Sequence, residues 1–238
     1  MIALALVAAG VVAFAAGMLA VRGFGPGYRV ARILRAAPEV DLAAAEAAAR
    51  AGRRAYVRVH GRISSDEEFP DEQDRPLVYR RRRVQVLGPA GWESLEDERT
   101  AVPFGVAARG VYVGVDVDVL DEGLVVLPRQ SEGTAGDVPG AVPAGTPPDR
   151  PVRLRIEQVS AVEHAYLTGQ PVMGPDGRAM LTAGAGRPLI VSTLDLPAAM
   201  RILGGANRRR ALAAVALLVA GPALAAIGLV WGVAGPTR

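Results

Sequence analysis

The chain has 238 residues, half of them hydrophobic, with only 5% aromatic side chains and a formal net charge of +3. The absence of cysteine excludes disulfides, thiolate metal sites and cysteine nucleophiles, and the absence of lysine excludes Schiff-base and phosphate-loop lysines. A net charge this small does not by itself indicate nucleic-acid binding, and the hydrophobic excess is concentrated at the two ends of the chain.

The first apolar segment covers residues 2–21, which carry no charge. A helix of this length spans about 30 Å, the thickness of the hydrocarbon core of a bilayer. A cleaved signal peptide is the alternative, but such a peptide begins with a basic region, and only Met1 precedes Ile2. We therefore predict an uncleaved transmembrane helix over residues 1–21.

Residues 22–54 are predicted to form a juxtamembrane helical segment. Arginine alternates with apolar residues over 28–35, a pattern typical of a short basic amphipathic segment that lies on anionic headgroups. The alanine-rich residues 39–51 place Glu46 and Arg50 one helical turn apart, which favours a second helix.

From residue 55 the hydrophobic pattern changes to a period of two, which indicates β-strands. The glycine-, proline- and alanine-rich residues 130–151 have no periodicity and are predicted to form a flexible surface loop. The predicted strands cover residues 56–63, 77–87, 92–100, 111–119, 124–127, 152–156, 162–167 and 189–192, and a brief helix covers 196–203.

The second apolar segment covers residues 211–234, again without a charge, and is predicted to be a transmembrane helix that accepts Pro222 near its middle. Arginine is concentrated on the inner flanks of both segments, so the positive-inside rule predicts a cytoplasmic central region and external termini at the plasma membrane. The arginines predicted to contact the membrane surface are Arg29, Arg32, Arg35, Arg208, Arg209 and Arg210.

Together these elements predict a membrane-anchored α+β protein. Its central part is expected to be one antiparallel β-barrel or sandwich domain over residues 55–203, between transmembrane helices 1–21 and 211–234.

Several stretches carry a resemblance to a known family. They are 56–63 (YVRVHGRI), 76–80 (PLVYR), 103–119, 163–169 (EHAYLTG) with Asp176-Gly177, and 188–192 (PLIVS). These stretches and the overall layout resemble the GIDE family, also called the beside-a-membrane (BAM) domain, as in mitochondrial membrane-anchored E3 ubiquitin ligases. The resemblance covers nearly the whole chain and implies a β-rich domain between two membrane helices.

The ligase members of that family carry a RING after the second span, and a RING binds zinc through cysteine and histidine. Since this sequence has no cysteine, those ligands are missing, and the resemblance implies a prokaryote-like member without the RING. The ligases place the GIDE domain away from the cytosol, which disagrees with the orientation that the arginine distribution predicts.

The candidate binding site is the arginine run Arg80, Arg81, Arg82 and Arg83. On a strand this run places two arginines on each face, where they would suit an anionic partner such as lipid headgroups, nucleic acid or an acidic protein segment. One alternative is an edge strand protected by charge, and another is neutralisation by the acidic residues within 66–74. The lack of interleaved aromatic residues argues against nucleic acid.

His60 and His164 are the only histidines, and both lie in strand-like stretches. Neighbouring strand residues point to opposite faces, so Glu163 is not expected to orient His164. No metal-ligand spacing joins the histidines to Asp116 or Asp118. We therefore expect structural or solvated histidines, with no catalytic residue, metal or cofactor.

The function favoured by these patterns is that of a membrane-tethered interaction or scaffold module. Its partners would be the lipid bilayer and an unidentified protein, and no nucleic acid. One alternative is an enzyme, either of the E3 ligase family or hydrolase-like. The other is a sensor of anionic lipids or of the envelope that uses Arg29, Arg32 and Arg35.

Overall fold

In the computed structural model the chain divides into two compact units, residues 33–199 and residues 1–32 together with 200–238. The structure describes residues 2–22, 26–89, 91–138, 140, 142, 145–205 and 208–234. In chain order the elements are α1 (Ile2–Arg22), α2 (Pro26–Ala36), α3 (Leu42–Arg50), β1 (Val57–Ser64), β2 (Phe69–Pro70), β3 (Pro76–Gly88), β4 (Gly91–Ala101), β5 (Gly105–Ala108), β6 (Val111–Val115), β7 (Leu124–Val125), β8 (Arg129–Thr134), β9 (Pro151–Ser160), β10 (His164–Met173), β11 (Ala179–Thr182), β12 (Ile190–Ser192), α4 (Leu196–Gly205) and α5 (Arg208–Ala234).

The helices α1 and α5 lie antiparallel and contact each other through glycines. A Cβ added at Gly10 would lie 2.5 Å from the carbonyl oxygen of Gly221 and 2.7 Å from the amide nitrogen of Ala225. A Cβ added at Gly228 would lie 2.8 Å from the carbonyl oxygen of Ala3. Backbones that approach this closely require glycine at the contact, as in many pairs of membrane helices.

Both helices are long and apolar enough to cross a membrane, over Ala3–Val21 and Leu212–Trp231. Pro222 lies inside α5, which continues past it. The prediction of two long apolar helices is confirmed. Many large apolar side chains on them are exposed, among them Leu4, Val11, Val12, Leu19, Leu212, Val219 and Trp231.

The basic segment that follows α1 is helical, as predicted. In α2, Arg29, Arg32 and Arg35 are exposed whereas Val30 and Leu34 are buried. The helix therefore has one apolar face and one arginine-bearing face.

The alanine-rich stretch forms α3, whose first turn is capped by Asp41. The Ala44 amide donates a hydrogen bond of 2.6 Å to the Asp41 carboxylate, which satisfies one of the free amides at the helix start. The predicted Glu46–Arg50 pair is present at 2.6 Å. Residues 39–41 are not helical, however, because Glu39 forms a parallel bridge with Arg58 of β1.

Five strands of the larger sheet pair in a closed ring, in the order β1-β5-β6-β11-β10 and back to β1. Inside the ring, Val59, Val106, Val113, Leu167 and Leu181 are fully buried. Since each of them alternates with residues that face outward, the ring is a small barrel with an aliphatic core. β12 and then β7 extend the sheet from β10, and α3 adds Leu42 and Ala45 to the core.

The second sheet is built around β3. β9 pairs with one edge of β3, β2 and β4 pair with the other, and β8 pairs with β9. A separate small core of Val84, Val86, Ala135 and Val152 lies against this sheet.

Three predictions about the β domain are wrong in part. The domain is not wholly antiparallel, because β6 pairs with β11 and β7 pairs with β12 in parallel. The strand predicted over 111–119 ends at Val115, and Val117–Val119 forms a 3₁₀ turn. Within the predicted loop 130–151, residues 130–134 belong to β8, which pairs with β9. Residues 139, 141, 143 and 144 of that loop lie outside the described residues.

The backbone conformation of a tight turn at Ala185 and Gly186 predicts how substitutions there change stability. Both residues have positive φ, +52° and +71°, between the bridged Gly184 and Arg187, as in a type I′ turn. A type I′ turn favours asparagine over alanine at its first central position, so Ala185→Asn should raise the free energy of unfolding by about 0.5–1 kcal/mol. Chemical denaturation of the full chain in detergent measures it. Ala185→Val should lower stability, and equal stability of the two variants would contradict the assigned turn.

Candidate functional site: the arginine strand and the β1–β10 face

The arginine run lies in the middle of β3. Because β3 pairs with β4 on one side and β9 on the other, the alternative of a charge-protected edge strand is wrong. Alternation along the strand places Arg81 and Arg83 on one face and Arg80 and Arg82 on the other.

Arg81 is the buried member of the run, with 8% of its surface exposed. Its guanidinium donates two hydrogen bonds, of 2.7 and 2.5 Å, to the Asp97 carboxylate and a third of 2.8 Å to Asp121. Arg99 donates a further bond of 2.9 Å to Asp121. The hydrogen bonds from Arg81 hold the pKa of Asp97 below its usual range, so this carboxylate is ionised at neutral pH.

The other arginines have their own partners. Arg83 contacts Glu157 at 2.6 Å, and Arg82 contacts Glu96 at 2.6 Å. Arg80 has no salt bridge within the described ranges, and its guanidinium lies 5.8 Å from the centre of the Phe69 ring. The carboxylates come from β4, β9 and the turn before β7, so the alternative that residues 66–74 neutralise the run is wrong. Binding of an anionic partner at Arg80–Arg83 stays a prediction.

Within that acidic stretch, Asp71 has a local structural role. Its carboxylate accepts hydrogen bonds from the Gln73 amide, at 2.8 Å, and from the amide and side chain of Arg75, at 2.9, 2.8 and 2.5 Å. The hydrogen bonds from Arg75 lower the pKa of Asp71 to about 2.

This lowered pKa predicts a pH dependence of stability. The folded pKa lies below the ordinary value of 3.8, so the contribution of Asp71 is complete above 3.8 and is lost as pH falls towards 2. Asp71→Asn should therefore lower the thermal midpoint at neutral pH by several degrees and make stability less steep between these pH values. Asp74→Asn in the same loop is the matched control, and an equal effect of both variants would contradict the role of Asp71.

The two histidines meet on the outer face of β1 and β10. His60 lies opposite Tyr166 in the strand register, and Arg62 lies opposite His164. The two imidazole rings are stacked with their centres 5.7 Å apart, and the His60 ring is 4.4 Å from that of Tyr166. Sequence reasoning missed this pair, since only the β1–β10 register brings the two histidines together.

Two grooves border this face. One, of about 610 Å³, is lined by His60, Arg109 and the first residues of α3. The other, of about 460 Å³, is lined by Arg62, Arg109 and the β5–β6 turn.

Of Asp116 and Asp118, the two acidic residues that a histidine metal site would need, Asp116 has another partner. Asp116 accepts a hydrogen bond of 2.6 Å from the Thr182 hydroxyl. In the part of the chain that is described, no three His, Asp or Glu side chains are placed to hold a metal ion.

The arginines predicted to contact the membrane surface lie on two helices. Arg29, Arg32 and Arg35 lie on the exposed face of α2. Arg208, Arg209 and Arg210 form the first turn of α5, and their side chains lie outside the described part of the structure.

No protein-family model matches the chain, and neither a search of curated proteins nor one of solved structures finds a match. The fold and these surfaces thus define the class: an α+β protein with a β-ring domain and two terminal apolar helices that could span a membrane.

Proposed function

We propose that this protein is a membrane-tethered interaction module, in which α1 and α5 span a bilayer and hold the β domain at its surface. The observation that carries the proposal is the antiparallel, glycine-mediated packing of two long apolar helices whose outward side chains are exposed. In water that exposed apolar surface would be unfavourable, whereas lipid solvates it.

The proposed orientation follows from charge. If both helices cross the bilayer, the segment between them lies on the side opposite the two chain ends. The arginines flank the inner ends of both spans, so the β domain is assigned to the cytoplasmic side of the plasma membrane.

As part of the same proposal, the β domain is a GIDE-type domain that acts without a RING. The support is the family-like stretches over β1, β3 and β10 and the placement of a β domain between two apolar helices. The 238 residues contain no cysteine, so a cysteine-ligated RING cannot form from them.

A second candidate function is recognition of anionic lipid by α2. Its exposed face carries Arg29, Arg32 and Arg35, and each arginine near an anionic surface contributes about 1 kcal/mol of attraction. Replacement of all three by glutamine should weaken binding of the purified chain to vesicles that contain phosphatidylserine, most strongly at low salt.

Fractionation and site-specific crosslinking test the main proposal. The full chain should stay with membranes in alkaline carbonate and be released by detergent, and recovery of soluble chain without detergent would overturn the tether. A photo-crosslinker in place of Arg82 should capture a discrete protein adduct that the same group at Arg178 does not. Absence of any adduct at Arg82 would remove the arginine strand as the interaction surface.

A further inference from the structure

We propose that the outer face of β1 and β10 binds a phosphate group through His60, His164, Arg62 and Arg109. This inference rests on the proposed function, since it names the chemistry that the interaction module recognises. The site lies on the barrel, separate from the arginine strand of the second sheet.

Three of these side chains, those of His60, Arg62 and Arg109, line two adjoining grooves, and His164 stacks against His60 beside them. The histidine rings are 5.7 Å apart, and Arg62 lies opposite His164 in the strand register. Arg109 lines both grooves, with His60 in one and Arg62 in the other. A ligand that occupies this junction is therefore within reach of two guanidinium groups and an imidazole pair.

The charge balance on this face favours an anion. Arg62 and Arg109 are exposed and form no salt bridge with any described residue. They differ in this from Arg81, Arg82 and Arg83, each of which binds a carboxylate.

Three carboxylates border the grooves, and two of them already have partners within the protein. Glu39 lies 2.9 Å from Arg58, and Asp41 caps α3. Only Glu68, at the second groove, is left to offset Arg62 and Arg109. Guanidinium groups bind phosphate through paired charge-assisted hydrogen bonds, and imidazole nitrogens add further donors.

The backbone at Arg109 is an independent observation. Arg109 and Gly110 have φ of +53° and +79° in the two-residue turn that joins β5 to β6, a type I′ geometry. That geometry favours asparagine, aspartate or glycine at the position of Arg109. A long cationic side chain is thus held at a position that disfavours it, and such local strain is concentrated at functional sites.

The same observations argue against a metal ion. Two histidines alone leave most coordination positions to water, and no third ligand joins them among the described residues. Arg62 and Arg109 would also repel a cation.

The experiment uses the fact that the chain has only two histidines, so the protons bound to the imidazole Cε1 atoms give two signals in NMR. The full chain in uncharged detergent is titrated with inorganic phosphate and, separately, with a short-chain phosphatidate, at near-neutral pH and constant ionic strength. Both signals should shift and saturate. Saturation by both ligands places recognition in the phosphate group alone, and saturation by phosphatidate only assigns the site to a lipid headgroup.

The decisive variant is Arg62→Gln/Arg109→Asn. It removes both guanidinium groups and should weaken binding at least about fivefold, since each charge-assisted contact is lost. Asparagine suits the turn, so the thermal midpoint should be unchanged or higher, which separates lost binding from lost folding. Arg53→Gln/Arg54→Gln, which alters two exposed arginines after α3, is the matched control and should bind as the parent does.

Two results would overturn the inference. One is the absence of a saturating shift with either ligand, and the other is equal affinity of the decisive and control variants. Neither result affects the fractionation test of the membrane tether, so failure of the phosphate site and failure of the proposed function are distinguishable.

Discussion

Gly10→Leu is expected to separate α1 from α5. At Gly10 even a Cβ would lie 2.5 Å from the Gly221 carbonyl oxygen, so a leucine cannot fit without displacing the whole of α5. Overpacking of this kind costs about 1–3 kcal/mol when neighbours can adjust, and a contact made by backbone atoms has little freedom to adjust.

Disulfide crosslinking measures this separation, because the chain has no native cysteine to compete with an introduced pair. Ala225 lies against Gly10 and Val7 lies against Gly228, so a cysteine pair at Val7 and Ala225 should form a disulfide under mild copper-catalysed oxidation in membranes. Gly10→Leu should reduce the yield severalfold. Ala9→Leu, at an exposed neighbouring position, should leave the yield unchanged, and equal yields for both variants would contradict the helix pairing.

Asp97→Leu is expected to destabilise the β domain strongly. It removes the two shortest contacts of the Arg81 guanidinium, so that this buried arginine would keep only Asp121 as a partner. Breaking a fully buried pair costs about 3–5 kcal/mol, and because Asp97 is one-third exposed and Asp121 remains, we expect about 2–3 kcal/mol.

Denaturation followed by the fluorescence of Trp92 measures this loss, in a Trp231→Phe background that leaves one tryptophan. The double variant Arg81→Met/Asp97→Leu should recover part of the stability, because it leaves no buried charge unpaired. Glu96→Leu on the same strand breaks the exposed pair with Arg82 and should cost less than about 1 kcal/mol. If Glu96→Leu lowers the free energy of unfolding as much as Asp97→Leu does, the burial of Arg81 is not the cause of the loss.

Elements with a strong local signal could be predicted from the sequence. The uncharged residues 2–21 and 211–234, the Glu46–Arg50 spacing in α3 and the alternation over 57–63 all specify a structure within a few residues of chain. The errors arose where a partner strand distant in sequence determines the secondary structure. β8 has six exposed residues and no hydrophobic alternation, and it is a strand because β9 offers it a free edge.

The surfaces were less predictable for the same reason. The sequence offered the nearby acidic residues 66–74 as partners for the arginine run, but the ring and sheet pairings bring Asp97, Asp121 and Glu157 to it instead. The His60–His164 stack likewise depends on a register between strands about 100 residues apart.

The closure of the barrel by β1 and β10 has a consequence for biosynthesis. β1 leaves the ribosome well before β10, because Val57 of β1 pairs with Gly169 of β10, about 110 residues later in the chain. At about 5–20 residues per second, the synthesis of the residues between them takes roughly ten seconds. During this time the apolar face of β1, with Val57, Val59 and Ile63, has no β10 to cover it, while α1 is already available for insertion. We therefore expect the nascent chain to need a holding chaperone until translation passes β11, and slower elongation between β6 and β10 to increase aggregation.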